Sequence, residues 1–199
     1  MSSTPSALAL LAMVGLPVIL GSVAADRAPR GARAVLSNMD VRPLQAVLGT
    51  LRGMESAYHT LHWQVGGPNF YGDHLLLQRL YEAGGNPDII KEIDSLGEKM
   101  VAYAGPESVR GEVIWGLATN TTSDILRRAG KTPSPETVIG AMLRTEELLQ
   151  EQIRFAYQTL KDRGQLSLGL DDFLMALADE RDGAIYLLRQ RLAGRGEAL

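Results

Sequence analysis

The sequence predicts an all-α protein, a four-helix bundle with a short helix in the connection between the second and third helices. Apolar residues recur at spacings of three and four along four long stretches, which is typical of helices with one buried face. Clusters of glycine and proline separate these stretches, and no alternating pattern predicts a strand. The 199 residues, 45% hydrophobic and 22% charged, suffice for one domain with a sizeable core.

The first helix is predicted from Asp40 to Val65, with Pro43 in its first turn, where a missing N–H is tolerated. The second is predicted to begin near Tyr71. A Gly-Gly-Asn-Pro sequence at 84–87 interrupts its pattern before the apolar periodicity resumes. Two interpretations remain open here: either the helix bulges, or a short insertion loops out.

The second half of the chain is predicted to hold a short helix and two long ones. The short helix is expected within residues 106–119, followed by a polar loop at 119–124. Residues 136–161 and 171–192 carry apolar positions at helical spacing and are predicted as the third and fourth long helices. Four long amphipathic helices of this kind favour a bundle.

We divide the chain into an N-terminal extension, residues 1–36, and a bundle domain, residues 37–199. Residues 7–25 of the extension carry no charge, and residues 26–36 form an arginine-containing linker. Three interpretations stay open for the apolar segment: an extension docked on a partner protein, which we place first, a signal peptide, or a membrane anchor. The first predicts a cytoplasmic protein, and the others predict an exported or membrane-associated one.

Charge is divided unevenly along the chain. Residues 1–54 hold five arginines against two aspartates, and the whole chain has a net charge of −3, so residues 55–199 carry −6. An acidic body attracts cations and repels a phosphate backbone, and we expect DNA binding to be weak at most. The chain has no cysteine, which excludes disulfides and thiolate metal sites.

The residues with metal-binding chemistry lie in one segment. All three histidines of the chain are His59, His62 and His74. Asp94 and Glu98 follow, four residues apart, so that a helix would present both carboxylates on one face. Imidazole with carboxylate suits iron, with zinc or manganese as competitors. No Glu-x-x-His occurs in the sequence, so a di-iron centre inside one bundle is not predicted.

This segment resembles the Dps family, the mini-ferritins that protect starved bacterial cells. The resemblance is carried by His62-Trp63, by Gly-Pro-Asn-Phe at 67–70, by a histidine twelve residues after the first, and by IDSLGEKMVAYAG at 93–105. It extends more weakly through the later helices and covers roughly residues 37–193.

The resemblance implies a ferroxidase site between two subunits related by a twofold axis. His62 and His74 match the histidines that one subunit supplies in the family. Asp94 and Glu98 match the acidic pair that the other subunit supplies. Trp63 matches a tryptophan that lies near the metals in the family.

The chain departs from the family pattern in two places. Gln78 falls where the family usually has Asp or Glu, and a neutral amide oxygen is a weaker ligand for Fe(II). Glu82, one helical turn further on, is an alternative ligand. About five extra residues separate the second histidine from the acidic pair. Taken alone, Glu82 is better explained as a solvated or salt-bridged residue than as a metal ligand.

Members of the family oxidise Fe(II), preferably with hydrogen peroxide, and collect ferric mineral inside a hollow shell, so the resemblance implies an iron-storing ferroxidase with twelve subunits. A shell protein that has a weakened centre and docks on a partner protein or on DNA is the alternative. Family members that bind DNA often use lysine-rich tails, whereas only Arg27, Arg30 and Arg33 are available in this tail.

Overall fold

The computed structural model describes residues 39–85 and 87–194, and this part of the chain forms six α-helices and one 3₁₀ helix without any strand. They are α1 (Arg42–His62), α2 (Phe70–Arg79), α3 (Ile89–Ala104), the 3₁₀ helix (Pro106–Val109), α4 (Gly111–Ala129), α5 (Pro135–Asp162) and α6 (Leu168–Ala193). The predicted all-α class is confirmed. The predictions for residues 1–36 lie outside the described residues, and within those residues no helix is apolar enough over a sufficient length to cross a membrane.

One apolar core joins the long helical segments, because each presents a stripe of buried residues to the same interior. Fully buried members include Leu51 and Met54 of α1, Leu96 and Met100 of α3, Met142 and Leu149 of α5, and Leu188 of α6. The helices α1, α2–α3, α5 and α6 correspond to the four long helices predicted from the sequence.

The second long helix is divided in two by an insertion that loops out. Helix α2 ends at Arg79, and α3 begins only at Ile89. Asp88 closes the loop, since its side chain accepts hydrogen bonds from the backbone N–H of Lys91 at 3.1 Å and of Gly84 at 2.9 Å. This is an N-cap that starts α3 as a new helix, so the alternative of a bulged continuous helix is wrong.

Helix α4 is longer than the sequence predicted. It runs for 19 residues and includes the stretch 119–124, which was predicted as a polar loop. The hydroxyl of Thr122 donates to the carbonyl of Ala118 at 2.9 Å, within the helix, and to that of Gly53 in α1 at 3.1 Å. The polar side chain is therefore satisfied by helix backbone, which explains why the loop prediction failed.

Gly53→Ala is expected to destabilise the protein by about 1–3 kcal/mol, because α1 and α4 touch at this glycine. A Cβ there would lie 2.7 Å from the carbonyl oxygen of Ala118 and 2.6 Å from Cβ of Thr121. Gly140→Ala is the matched control, since a Cβ at Gly140 in α5 meets nothing within 4 Å. Urea unfolding measures both variants, and equal midpoints for the two would contradict the prediction.

A charged cluster is buried inside the bundle. Arg181 of α6 is fully buried and pairs with Glu92 of α3 and, at 3.7 Å, with Glu146 of α5. The hydroxyl of Tyr58 donates to the carbonyl of Met142 at 3.2 Å and lies 3.4 Å from Glu146 Oε1. Arg181 thus joins one carboxylate from α3 to one from α5 inside the bundle. Burial, only partly opposed by Arg181, raises the pKa of Glu92 to about 7.

Candidate metal centre

His62 and His74 lie side by side where α1 ends and α2 begins. His62 is the last residue of α1 and is buried, and His74 is half-buried in α2. Their ring centroids are 4.8 Å apart. The chain reverses between them through Gly67, whose φ of +93° is readily adopted only by glycine. The short glycine-containing turn therefore brings together two imidazoles that are twelve residues apart in sequence.

Both imidazoles are held through the same ring nitrogen. Nδ1 of His62 bonds the carbonyl oxygen of His59 at 2.5 Å, and Nδ1 of His74 bonds the carbonyl oxygen of His62 at 3.3 Å. A carbonyl only accepts, so Nδ1 carries the proton in each neutral ring and Nε2 carries the lone pair. Metal-binding histidines typically have this arrangement, with the second nitrogen fixed by a carbonyl or carboxylate.

The protonation state of His62 also suits a ligand. Its pKa is lowered, chiefly because burial disfavours the charged ring and further because His74 and His59 lie close. The hydrogen bond to the His59 carbonyl opposes this shift but does not overcome it. His62 is therefore neutral near pH 7, which is the form that can bind a metal.

Tyr81 also belongs to this cluster, although no motif in the sequence marks it as a site residue. Its hydroxyl lies 2.9 Å from Nε2 of His62, and its ring stacks on His59 with centroids 4.6 Å apart and an interplanar angle of 16°. Tyr81 lies just beyond the end of α2, in a turn closed by hydrogen bonds from the backbone N–H groups of Tyr81 and Glu82 to the carbonyl of Gln78. This turn places Tyr81 beside the histidines.

Two further aromatic side chains flank the imidazoles. The Trp63 ring lies 5.3 Å from that of His62 and 4.7 Å from that of His59, and it is 65% exposed. Phe70 lies 5.3 Å from His74 and is also exposed. The imidazoles therefore sit at the surface end of an aromatic cluster and not within the apolar core.

The two doubtful ligands differ in their placement. Gln78 lies in the last turn of α2, four residues after His74, and is half-buried. Glu82 is exposed and lies beyond the helix, which ends at Arg79. Glu82 lies three residues beyond the last residue of α2, although its backbone N–H still bonds the carbonyl of Gln78 at 3.0 Å.

A buried ion pair fixes the helix that carries His74. Asp73, which is 1% exposed, bonds Arg191 near the end of α6, with Arg191 Nη2 donating to Oδ2 at 2.7 Å. The second arginine nitrogen, Nε, donates to the other carboxylate oxygen. A pair of parallel bonds of this kind restricts both position and rotation. Helix α2 is short, and this contact secures it against the bundle.

Asp94 and Glu98 lie elsewhere, on the exposed side of α3. Both line a groove of about 640 Å³ between α1, α3 and α4. Other lining residues include Leu48, Arg52, Val101, Ile114 and the 59% exposed Trp115. Within the described part of the chain, neither carboxylate forms an ion pair.

The histidines and the acidic pair form two separate groups. Across residues 39–85 and 87–194, no three or more His, Asp or Glu side chains lie close enough to hold a metal ion together. The structure thus brings His62 to His74, and it places Asp94 with Glu98 along one groove. It does not join the two groups within a single chain.

No protein-family model matches the chain. Over 134 residues it is 27% identical to an uncharacterized low temperature-induced protein of Nostoc sp., covering 67% of this chain and 69% of that protein. A homologous protein of Anabaena variabilis matches to the same extent.

Solved structures give broader coverage. The X-ray structure of Dps from Thermosynechococcus elongatus superposes with a TM-score of 0.66 at 20% identity, covering 84% of this chain and 98% of that one. Mycobacterium smegmatis Dps gives 0.63 at 22% identity, covering 80% and 90%. Dps from Microbacterium arborescens in its high iron form gives 0.61 at 18% identity, covering 83% and 97%. The chain therefore has the ferritin-like fold of Dps proteins, as the resemblance in its sequence predicted.

Proposed function

We propose that the protein is a mini-ferritin of the Dps family that oxidises Fe(II) and stores the ferric product in a homo-oligomeric shell of twelve subunits. The observation that carries the proposal is the pair of imidazoles 4.8 Å apart, each bonded to a carbonyl through Nδ1. These hydrogen bonds fix the orientation of both rings, so each Nε2 can bind a metal ion without further ordering of the side chains. Its occurrence on a Dps fold supports iron as the metal.

The proposed centre is shared between two subunits. His62 and His74 of one chain would bind the metal together with Asp94 and Glu98 of a second chain. Two observations support this division: the groups do not meet within one chain, and the acidic pair lines an open, largely apolar groove. Such a groove suits burial against another copy of the chain. Two nitrogen and two carboxylate ligands suit iron, with zinc or manganese as surrogates.

Gln78 is the weak element of this ligand set. Its position one turn after His74 allows its amide oxygen to serve a second metal ion, without the charge that a carboxylate would contribute. Glu82 is left out of the proposed site, because it lies beyond the end of α2 and is exposed. The second metal position would therefore be held less tightly than the first.

The chemistry requires two electrons for each peroxide. Hydrogen peroxide would take one electron from each of two Fe(II) ions, its O–O bond would break, and both oxygens would leave as hydroxide or water. Because two Fe(II) ions would deliver both electrons to one peroxide, the one-electron cleavage that releases a hydroxyl radical would be avoided, which would protect the cell from their combined damage. The chain's own contribution is to bind and orient the ions through imidazole nitrogens and carboxylate oxygens.

The test is Fe(II) oxidation by the purified full-length chain, followed optically with peroxide and then with oxygen, alongside its mass in solution. We expect peroxide-dependent oxidation by a particle about twelve times the 21.6 kDa chain mass. A particle of that size without oxidation would contradict the ferroxidase activity. It would support the alternative suggested by Gln78, a structural shell that docks on a partner protein or on DNA. A monomer would contradict the shell.

We further propose a cytoplasmic location, with export or membrane association through residues 7–25 as the alternative. That segment lies outside the described residues. Cell fractionation of the tagged full chain tests the location, and recovery in the membrane fraction would favour the alternative.

We propose weak DNA binding at most, since residues 55–199 carry a net charge of −6.

A further inference from the structure

Tyr81 has an unusual position relative to the proposed ligands. Its hydroxyl bonds Nε2 of His62 at 2.9 Å, the nitrogen that would face the metal. Because Nδ1 of His62 donates to the His59 carbonyl, Nε2 holds the lone pair and the tyrosine hydroxyl donates to it. A metal ion needs the same lone pair. The hydroxyl of Tyr81 and a metal ion therefore compete for one atom.

The second imidazole is not covered in the same way. His74 is bonded through Nδ1, and no hydrogen bond within the described residues engages its Nε2. The two ligands thus differ in the metal-free chain, since one offers a free nitrogen and the other a capped one. An entering ion would meet His74 first and His62 only after the tyrosine hydroxyl has moved.

The surroundings of Tyr81 allow such a movement. It lies in the loop between α2 and α3 and not in a helix, and the loop contains Gly84 with a φ of +75°. Its ring is half-buried and stacks on His59, which is itself exposed. A small rotation of the ring across the His59 face would move the hydroxyl away from Nε2.

We propose that Tyr81 is a gate on the metal centre: its hydroxyl covers Nε2 of His62 in the metal-free protein and is displaced when the ion binds. The inference rests on the proposed function, because it takes His62 as a metal ligand. It assigns Tyr81 the role of a positioning residue that regulates access to that ligand.

The test compares Co(II) binding by the wild-type protein and by Tyr81→Phe, which removes the hydroxyl and keeps the stacked ring. Co(II) is a redox-inert probe whose visible absorption reports coordination. We expect Co(II) to bind Tyr81→Phe about fivefold more tightly, equivalent to about 1 kcal/mol for the lost competing hydrogen bond. Tyr71→Phe is the matched control, since Tyr71 is 75% exposed, and its affinity should equal that of the wild type.

A second readout follows the tyrosine itself. Saturating the wild-type protein with Co(II) should change its near-ultraviolet tyrosine absorption, and this change should be absent in Tyr81→Phe and His62→Ala. This signal decides the question if Tyr81→Phe proves less stable than the wild type.

Equal or weaker binding by a stable Tyr81→Phe, or no tyrosine signal on saturation, would overturn the gate. If His62→Ala still abolishes binding, the proposed centre stands. Co(II) binding that is absent from the wild type, or unaltered in His62→Ala, would overturn both proposals.

Discussion

Mixing His62→Ala subunits with Glu98→Ala subunits is expected to restore about a quarter of the Fe(II) oxidation that each substitution removes alone. Each variant by itself should lose at least about 100-fold in rate, because removal of a direct ligand exceeds the 10- to 100-fold cost of losing an outer partner. Neither side chain lies in the apolar core, so both variants should keep the fold and the mass of the wild type.

The recovery follows from sharing the centre across a twofold axis. A pair of subunits carrying one substitution each contains two sites. One site has lost both His62 and Glu98, and the other has lost neither. Random pairing makes about half of all pairs mixed, and half of the sites in those pairs are complete, so about a quarter of all sites are complete. A centre built within one chain would give no recovery at all.

The measurement uses two differently tagged variants expressed together, with the initial rate taken per subunit. His62→Ala mixed with His74→Ala is the matched control, since both changes fall on the same half of the centre. Every site in that mixture lacks one histidine, and no recovery is expected. Equal recovery in both mixtures, or none in the first, would contradict the shared centre.

Arg181→Met is expected to lower the free energy of unfolding by about 3–5 kcal/mol. Arg181 is fully buried and is the cation that faces two buried carboxylates, Glu92 and Glu146. Without it, both carboxyl groups would have to take up protons or remain charged away from water. Methionine fills much of the volume, so the loss would report the missing charge rather than a cavity.

Arg189→Met is the control for this substitution. Arg189 lies on the same helix and pairs with Glu147 at 2.8 Å, but it is exposed, and such pairs contribute about 0–1 kcal/mol. Unfolding in urea should be compared at one protein concentration, because assembly would couple to stability. If the free energy of unfolding of Arg181→Met lies within about 1 kcal/mol of that of Arg189→Met, the buried charge contributes little to stability.

The sequence predicted those features that depend on local periodicity. Apolar spacing located the four long helical segments, an inference that needs only the geometry of a helix. The proximity of His62 and His74 was implied by the resemblance to the Dps family, and their rings lie 4.8 Å apart in the structure.

Other features depend on how separate elements meet. The polar residues at 119–124 form a helix because α1 offers a glycine surface and carbonyl groups to α4, and no local pattern reveals that surface. Glu92 lies two residues before Asp94 and therefore on a different side of α3, but spacing does not tell which of two charged residues faces the interior. Tyr81 reaches His62 from the turn that follows α2, and no spacing in the sequence indicated this contact.

The raised pKa of Glu92 links folding to proton uptake. The carboxyl titrates near pH 7 in the folded protein and near its ordinary value of 4.5 when unfolded, so the folded chain binds more protons between these values. Its contribution to stability is fully present below pH 4.5 and is lost as the pH rises through 7. Between pH 5 and 7 the loss should be about 2 kcal/mol, and Glu92→Gln should lack it when unfolding is compared at both values. Mild acid lowers the free energy of unfolding of proteins that depend on ionised carboxylates. In this protein, protonation of the buried Glu92 carboxyl would partly offset that loss.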